Sequence, residues 1–149
     1  MKRVVMVLIV CACAAVATAA ATQFKGNRPG GGLVLKLGEV QWTDYPGRPG
    51  VKLAVVEGDM TKAAPFMVLV KFPAGYKLGP HTHPGTEHAT ILSGSIRLGY
   101  GTKEDGPTEL LTAGTILVTP PNTPHFLSVE SEVIEQMHGT GPWSSTPAK

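Results

Sequence analysis

From Leu33 onward the chain alternates short apolar, β-branched runs with turn residues: Leu33 to Leu37, Val51 to Glu57, Phe66 to Phe72, Ala89 to Leu92, Ser95 to Tyr100, Thr115 to Thr119, Phe126 to Val129 and Val133 to Met137. Pro46-Gly47, Pro49-Gly50, Gly58-Asp59, Pro73-Ala74-Gly75, Ser93-Gly94, Asp105-Gly106-Pro107 and Pro120-Pro121-Asn122 separate them at strand-like intervals. No long stretch free of these breakers keeps a helical period, so the pattern predicts an all-β sandwich or barrel with little helix. Phe66, Val68, Val70 and Phe72 alternate with Met67, Leu69 and Lys71, which puts apolar residues on both faces and predicts a central strand. Ile96, Leu98 and Tyr100 against Arg97 and Gly99 predict a half-buried strand with Arg97 on its solvent face. On the last run Ile134, Gln136 and His138 share one face.

The segment before these runs has a different composition. Met1-Lys2-Arg3 precedes an apolar stretch from Val4 to Val10 and an alanine-rich run to Ala21, the order of a secretory signal peptide. Its apolar core is short of the roughly 20 residues that span a bilayer, which disfavours a membrane anchor. Cleavage after Ala19 or after Ala21 fits the small-residue rule, and Val10-Cys11-Ala12-Cys13 offers lipid attachment at Cys13 as the rival. The expected division is 1–21 signal peptide, 22–32 glycine-rich flexible tether and 33–149 one domain, in a periplasmic or secreted protein. Both cysteines fall within the leader, so the mature domain is expected to hold no disulfide and no thiolate ligand.

Charge excludes some partners. The chain has 13 Lys plus Arg and 11 Asp plus Glu; loss of Lys2 and Arg3 with the leader brings the mature net charge near zero. No basic run or basic-aromatic stripe points to nucleic acid, and no membrane association is expected after cleavage.

The candidate chemistry is concentrated in two short segments. His81, His83 and Glu87 stand in His81-Thr82-His83-Pro84-Gly85-Thr86-Glu87-His88, and His125 follows Pro120-Pro121-Asn122-Thr123-Pro124. In an extended segment His81 and His83 point the same way, and Pro84-Gly85 allows a turn that returns Glu87 toward them. Imidazole and carboxylate ligands suit one divalent transition metal: iron, manganese, zinc or nickel. Glu87 and His88 compete for one inward position on the next strand, since neighbours on a strand face opposite ways.

The spacing resembles a known family. Gly75, His81-x-His83, Glu87 and Gly94 match the first cupin motif, and Gly114, Pro120 and His125 match the second. Asn122 stands where the second motif has a glycine, a position Asn can fill at positive φ, and Val129 stands where it ends in asparagine. The resemblance implies a double-stranded β-helix, or jelly roll, with His81, His83, Glu87 and His125 as metal ligands and His88 outside the ligand set. Three neutral imidazoles and one carboxylate then leave a divalent site near plus one, which favours an anionic small-molecule ligand. The resemblance also implies a homodimer through exposed sheet edges.

Other residues have two readings. His138 is the candidate general acid or base, against a structural histidine. Phe72, Tyr76, Ile91 and Phe126 line the pocket or simply form core, and Trp143 caps the barrel or stacks on a ligand. Three functions fit the same pattern: a metal-dependent enzyme of oxygenase type, a non-catalytic metal or small-ligand binding module, and a metal-dependent isomerase or lyase. No nucleophile and base pairing, phosphate loop or paired carboxylates occur at recognisable spacing.

Overall fold

The computed structural model describes residues 29–149, so the expected leader and most of the tether lie outside the described residues. Nine strands form one curled sheet: β1 Thr43–Asp44, β2 Lys52–Gly58, β3 Pro65–Phe72, β4 Lys77–Thr82, β5 Glu87–Tyr100, β6 Thr108–Thr112, β7 Ile116–Thr119, β8 His125–Thr140 and β9 Thr146–Pro147. Helix is limited among these residues to two 3-10 turns, Pro29–Gly31 and Leu37–Glu39. No helix of the described residues is long and apolar enough to cross a membrane.

Two long strands carry the architecture. β5 and β8 pair antiparallel from His88↔His138 to Tyr100↔His125. On its other edge β8 takes β3 along Val133 to Thr140 and β4 near His125 to Ser128, while β5 takes β7 along Glu87 to Thr90 and β6 along Ser95 to Gly99. All these pairings are antiparallel, and the curl buries one face of every long strand, giving the expected all-β jelly-roll barrel. Val51, Val68, Ile91, Ile96 and Val133 are the most deeply buried side chains of its core.

The sequence runs and the strands differ in instructive places. Ala89 to Leu92 and Ser95 to Tyr100 are one strand: Gly94 does not end it but bends it, with φ 76° and register shifts on either side. A Cβ at Gly94 would overlap the Glu132 carbonyl, so both the backbone angle and the close approach of β8 require glycine. Phe126 to Val129 and Val133 to Met137 likewise merge into β8. Leu33 to Leu37 forms no strand. Its Leu35, with Trp42, instead packs on Val40, Ala54 and Leu69 over the outer face of β2 and β3. That cover explains why β3 is apolar on both faces while lying between β2 and β8. β1 and β9 carry polar or proline-containing sequence with no apolar run, and β6 has only the pair Leu110-Leu111, of which Leu111 joins the core.

Candidate metal centre

β4 ends at Thr82, and His81 and His83 straddle that end on the same side, their ring centroids 4.9 Å apart. His125 begins β8 and pairs with His81 across the β4–β8 ladder. Asn122, at φ 57°, donates its backbone N–H to the His83 carbonyl at 2.8 Å, so the turn before His125 is tied directly to the end of β4. Val129, at the motif's asparagine position, makes the local connection through its backbone, which bonds Gly75 and Tyr76. His81, His83 and His125 thereby bring three ring nitrogens within 4.8 Å of one another.

Each ring is oriented by its far nitrogen. His81 Nδ1 meets the Gly79 carbonyl at 2.9 Å, His83 Nδ1 the Ser144 carbonyl at 2.7 Å and His125 Nδ1 the Thr123 carbonyl at 3.0 Å. A carbonyl only accepts, so each Nδ1 carries the hydrogen and each Nε2 is the nitrogen free for another partner. The Ser144 contact depends on the chain end: β9 pairs with β4, and Trp143 stacks on His83 at 4.5 Å between centroids and 19° between planes. Of the two readings for Trp143, the structure shows a wall of the site stacked on a histidine.

Glu87 opens β5 and faces the cluster, with Oε2 3.3 Å from His125 Nε2 and Oε1 3.7 Å from His83 Nε2. His88, next along the strand, faces the other way and stacks on His138 at 4.8 Å between centroids, 10° from parallel. His138 is exposed on the outer face of β8, beside a groove lined also by Glu57, Met67 and Gln136. It does not reach the histidine cluster. Arg97 pairs with Glu130 at 2.8 Å in partial exposure to solvent.

Electrostatics suit the ring nitrogens to a cation. Burial, then the neighbouring His125, holds His81 down to about 4, and burial likewise lowers His83, so both are neutral at neutral pH. Burial also depresses His125, but the Glu87 carboxylate, through its hydrogen bond and its charge, together with the Thr123 carbonyl raises the imidazole above its ordinary value. Burial would raise Glu87, yet the His125 bond and the nearby His83 bring it below the carboxylate range. The shift favours the protonated imidazole of His125 beside Glu87, so a cation binding there competes with that proton. Metal uptake is therefore expected to release protons and to weaken on acidification; an indicator-dye titration in weak buffer measures this, and proton-free uptake would contradict the pairing.

His83, Glu87 and His125 front a cavity of about 50 Å³ whose walls include Val70, Phe72, Leu98, Leu127 and Met137. Phe72 alone of the four sequence candidates for the wall lines this cavity; Ile91 and Phe126 are buried core, and Tyr76 packs against that core. Four further polar residues line it, Thr119 among them. Tyr45 and Arg48 stand together, the guanidinium 5.4 Å from the ring centroid, and burial raises the Tyr45 phenol despite Arg48. Glu135 is buried on the inner row of β8 between Val133 and Met137, and burial together with the Glu87 charge pushes its carboxyl up to about 8. The alternation that puts Ile134, Gln136 and His138 on one face puts Glu135 on the other, a signal present in the sequence. Arg48 lies between two Pro-Gly turns and carries no comparable signal.

Comparison with known proteins agrees with this architecture. Residues 68–135 match the cupin domain family. No curated protein gives a significant match. Among solved structures, KdgF from Halomonas sp. is similar at TM-score 0.54 and 20% identity, covering 79% of this chain and 96% of that one. The polyketide cyclase RemF from Streptomyces resistomycificus reaches TM-score 0.62 at 15% identity, covering 78% and 84%. A salicylate 1,2-dioxygenase variant from Pseudoaminobacter salicylatoxidans, in complex with gentisate, gives TM-score 0.55 at 16% identity, covering 67% of this chain and 30% of that one. With both sequence motifs meeting at one histidine cluster inside the shared barrel, the chain carries a small cupin-superfamily domain, matched over residues 68–135.

Proposed function

We propose that this protein is a metal-dependent enzyme of oxygenase type acting on a compact oxygenated molecule, with His81, His83, Glu87 and His125 as the ligands of one divalent ion. The observation that carries the reading is the convergence of three tautomer-fixed imidazoles, with a carboxylate already paired to one of them, at the wall of a cavity lined largely by apolar side chains. A divalent ion held there would supply Lewis acidity and, if redox-active, electron transfer to O2. The chain's own residues do the rest. The backbone carbonyls hold the rings in place, Trp143 keeps His83 from turning, and the apolar walls exclude bulk water. Arg48, half-buried at the cavity, supplies a positive charge that favours an anionic substrate. The barrel fold is shared with a dioxygenase and a polyketide cyclase, which supports small-molecule chemistry as the class.

Iron-loaded protein offered a panel of small hydroxy and keto acids is expected to consume O2 with loss of substrate, and His83→Ala protein to consume none. An oxygen electrode with product analysis measures both. Turnover without O2 uptake would favour an isomerase or lyase. A zinc- or nickel-filled site inert to the whole panel would favour a binding module.

The leader-like segment 1–21 supports export to the periplasm or medium, and the exposed Ile116 and Val118 on β7 support a homodimer through that face. N-terminal sequencing and sedimentation of exported protein are expected to show a start at Ala20 or Thr22 and twice the mature mass. An intact Met1 or a monomer would contradict the respective part.

A further inference from the structure

One buried carboxyl has no structural use. Glu135 is 6% exposed, sits in the inner row of β8 and fronts the same cavity as His83, Glu87 and His125. Among the described residues none hydrogen-bonds or ion-pairs with its side chain. Val133 and Met137 flank it, and Val70, Phe72 and Leu127 share the cavity wall, so a core built only for packing would place an apolar residue there. Its neighbour in charge is Glu87, which already serves the histidines; a second ionised carboxyl in the same apolar space is disfavoured, and burial together with that charge pushes Glu135 up to about 8. A neutral carboxyl is a hydrogen-bond donor as well as an acceptor.

We propose that Glu135 is the polar end of a ligand subsite, donating its carboxyl O–H to an acceptor oxygen of a compact molecule whose other end reaches the histidine cluster. The proposal rests on the metal-site reading above and adds a second recognition point. The cavity of about 50 Å³ holds more than one water and opens to solvent, so it admits a small oxygenated molecule. Such a ligand needs a carboxylate, carbonyl or hydroxyl oxygen at each end, one for the cluster and one for Glu135.

Zinc-loaded protein with glycolate as the probe tests this by calorimetric titration, with metal content measured in every sample. Glycolate is expected to bind wild type, to bind Glu135→Gln within about threefold because the amide still donates, and to bind Glu135→Leu at least about tenfold more weakly at unchanged zinc content. In wild type the Glu135 side-chain carboxyl 13C resonance is expected to shift on glycolate addition, a readout that does not depend on how Glu135→Leu folds. Wild-type glycolate affinity in zinc-filled Glu135→Leu, an unmoved Glu135 resonance at saturation, or no glycolate binding to zinc-filled wild type would overturn the subsite. Failure of wild type to hold zinc would instead overturn the metal-site reading.

Discussion

Metal-free Glu135→Gln protein is expected to unfold about 10 °C above wild type at pH 8 and at nearly the same temperature at pH 5. The Glu135 carboxyl holds its proton to about 8 in the barrel, against an ordinary value of 4.5. Between those values the unfolded chain has lost a proton that the folded chain keeps, so ionisation of the unfolded state draws the equilibrium toward unfolding. Wild-type stability therefore falls as pH rises through this window. Glutamine fills the same space without titrating, so its advantage grows with pH, to on the order of 3 to 5 kcal/mol at the upper end. A divalent ion bound to Glu87 offsets its charge but leaves the burial of Glu135, the larger cause, in place, so the difference is expected to shrink without vanishing. Thermal unfolding at a series of pH values, with and without chelator, measures it. Equal wild-type and variant midpoints across pH 5 to 8 would mean that Glu135 ionises freely and does not lie in the apolar wall.

The second large effect is on metal content. His83→Ala is expected to reduce bound divalent metal from about one ion per chain to below about a tenth, with the barrel still folded, and His125→Ala to do the same. The two substitutions differ in their cost to the metal-free fold. His83 meets Glu87 only at 3.7 Å, so its loss removes the stack on Trp143 and leaves the closer carboxylate pair intact. Loss of His125 strands the largely buried Glu87 carboxylate, so His125→Ala should also lower stability by roughly 2 to 4 kcal/mol, relieved in part by adding Glu87→Gln. Elemental analysis of dialysed protein together with urea unfolding separates the two effects. Full metal content in both variants would remove the histidines from the ligand set.

Much of this was legible in the sequence because period two is a strong signal where one strand face is buried. The alternation through Phe66, Val68, Val70 and Phe72 gave β3 its position and its inner face, and the spacing of His81 and His83 put two imidazoles on one side. What escaped has physical reasons. Gly94 reads as a stop in one dimension, but opposite the Glu132 carbonyl it lets a long strand bend without ending. Leu33 to Leu37 has strand composition but contributes Leu35 as a lid over β2 and β3, since apolarity alone does not say whether a segment pairs or covers. His138 attracted attention as a histidine near the barrel, while Glu135 three residues earlier occupies the inner row. Ser144 and Arg48 join the site through contacts far along the chain, which no local pattern encodes.

The most direct test of the account is X-ray absorption at the edge of whatever transition metal copurifies with the mature protein. The account predicts about one ion per chain with three imidazole nitrogens and a carboxylate oxygen among its neighbours, and one nitrogen fewer on average in any residual metal of His83→Ala. A neighbour shell with fewer than three imidazoles in wild type, or one unchanged in His83→Ala, would contradict the claim that His81, His83 and His125 converge to hold it.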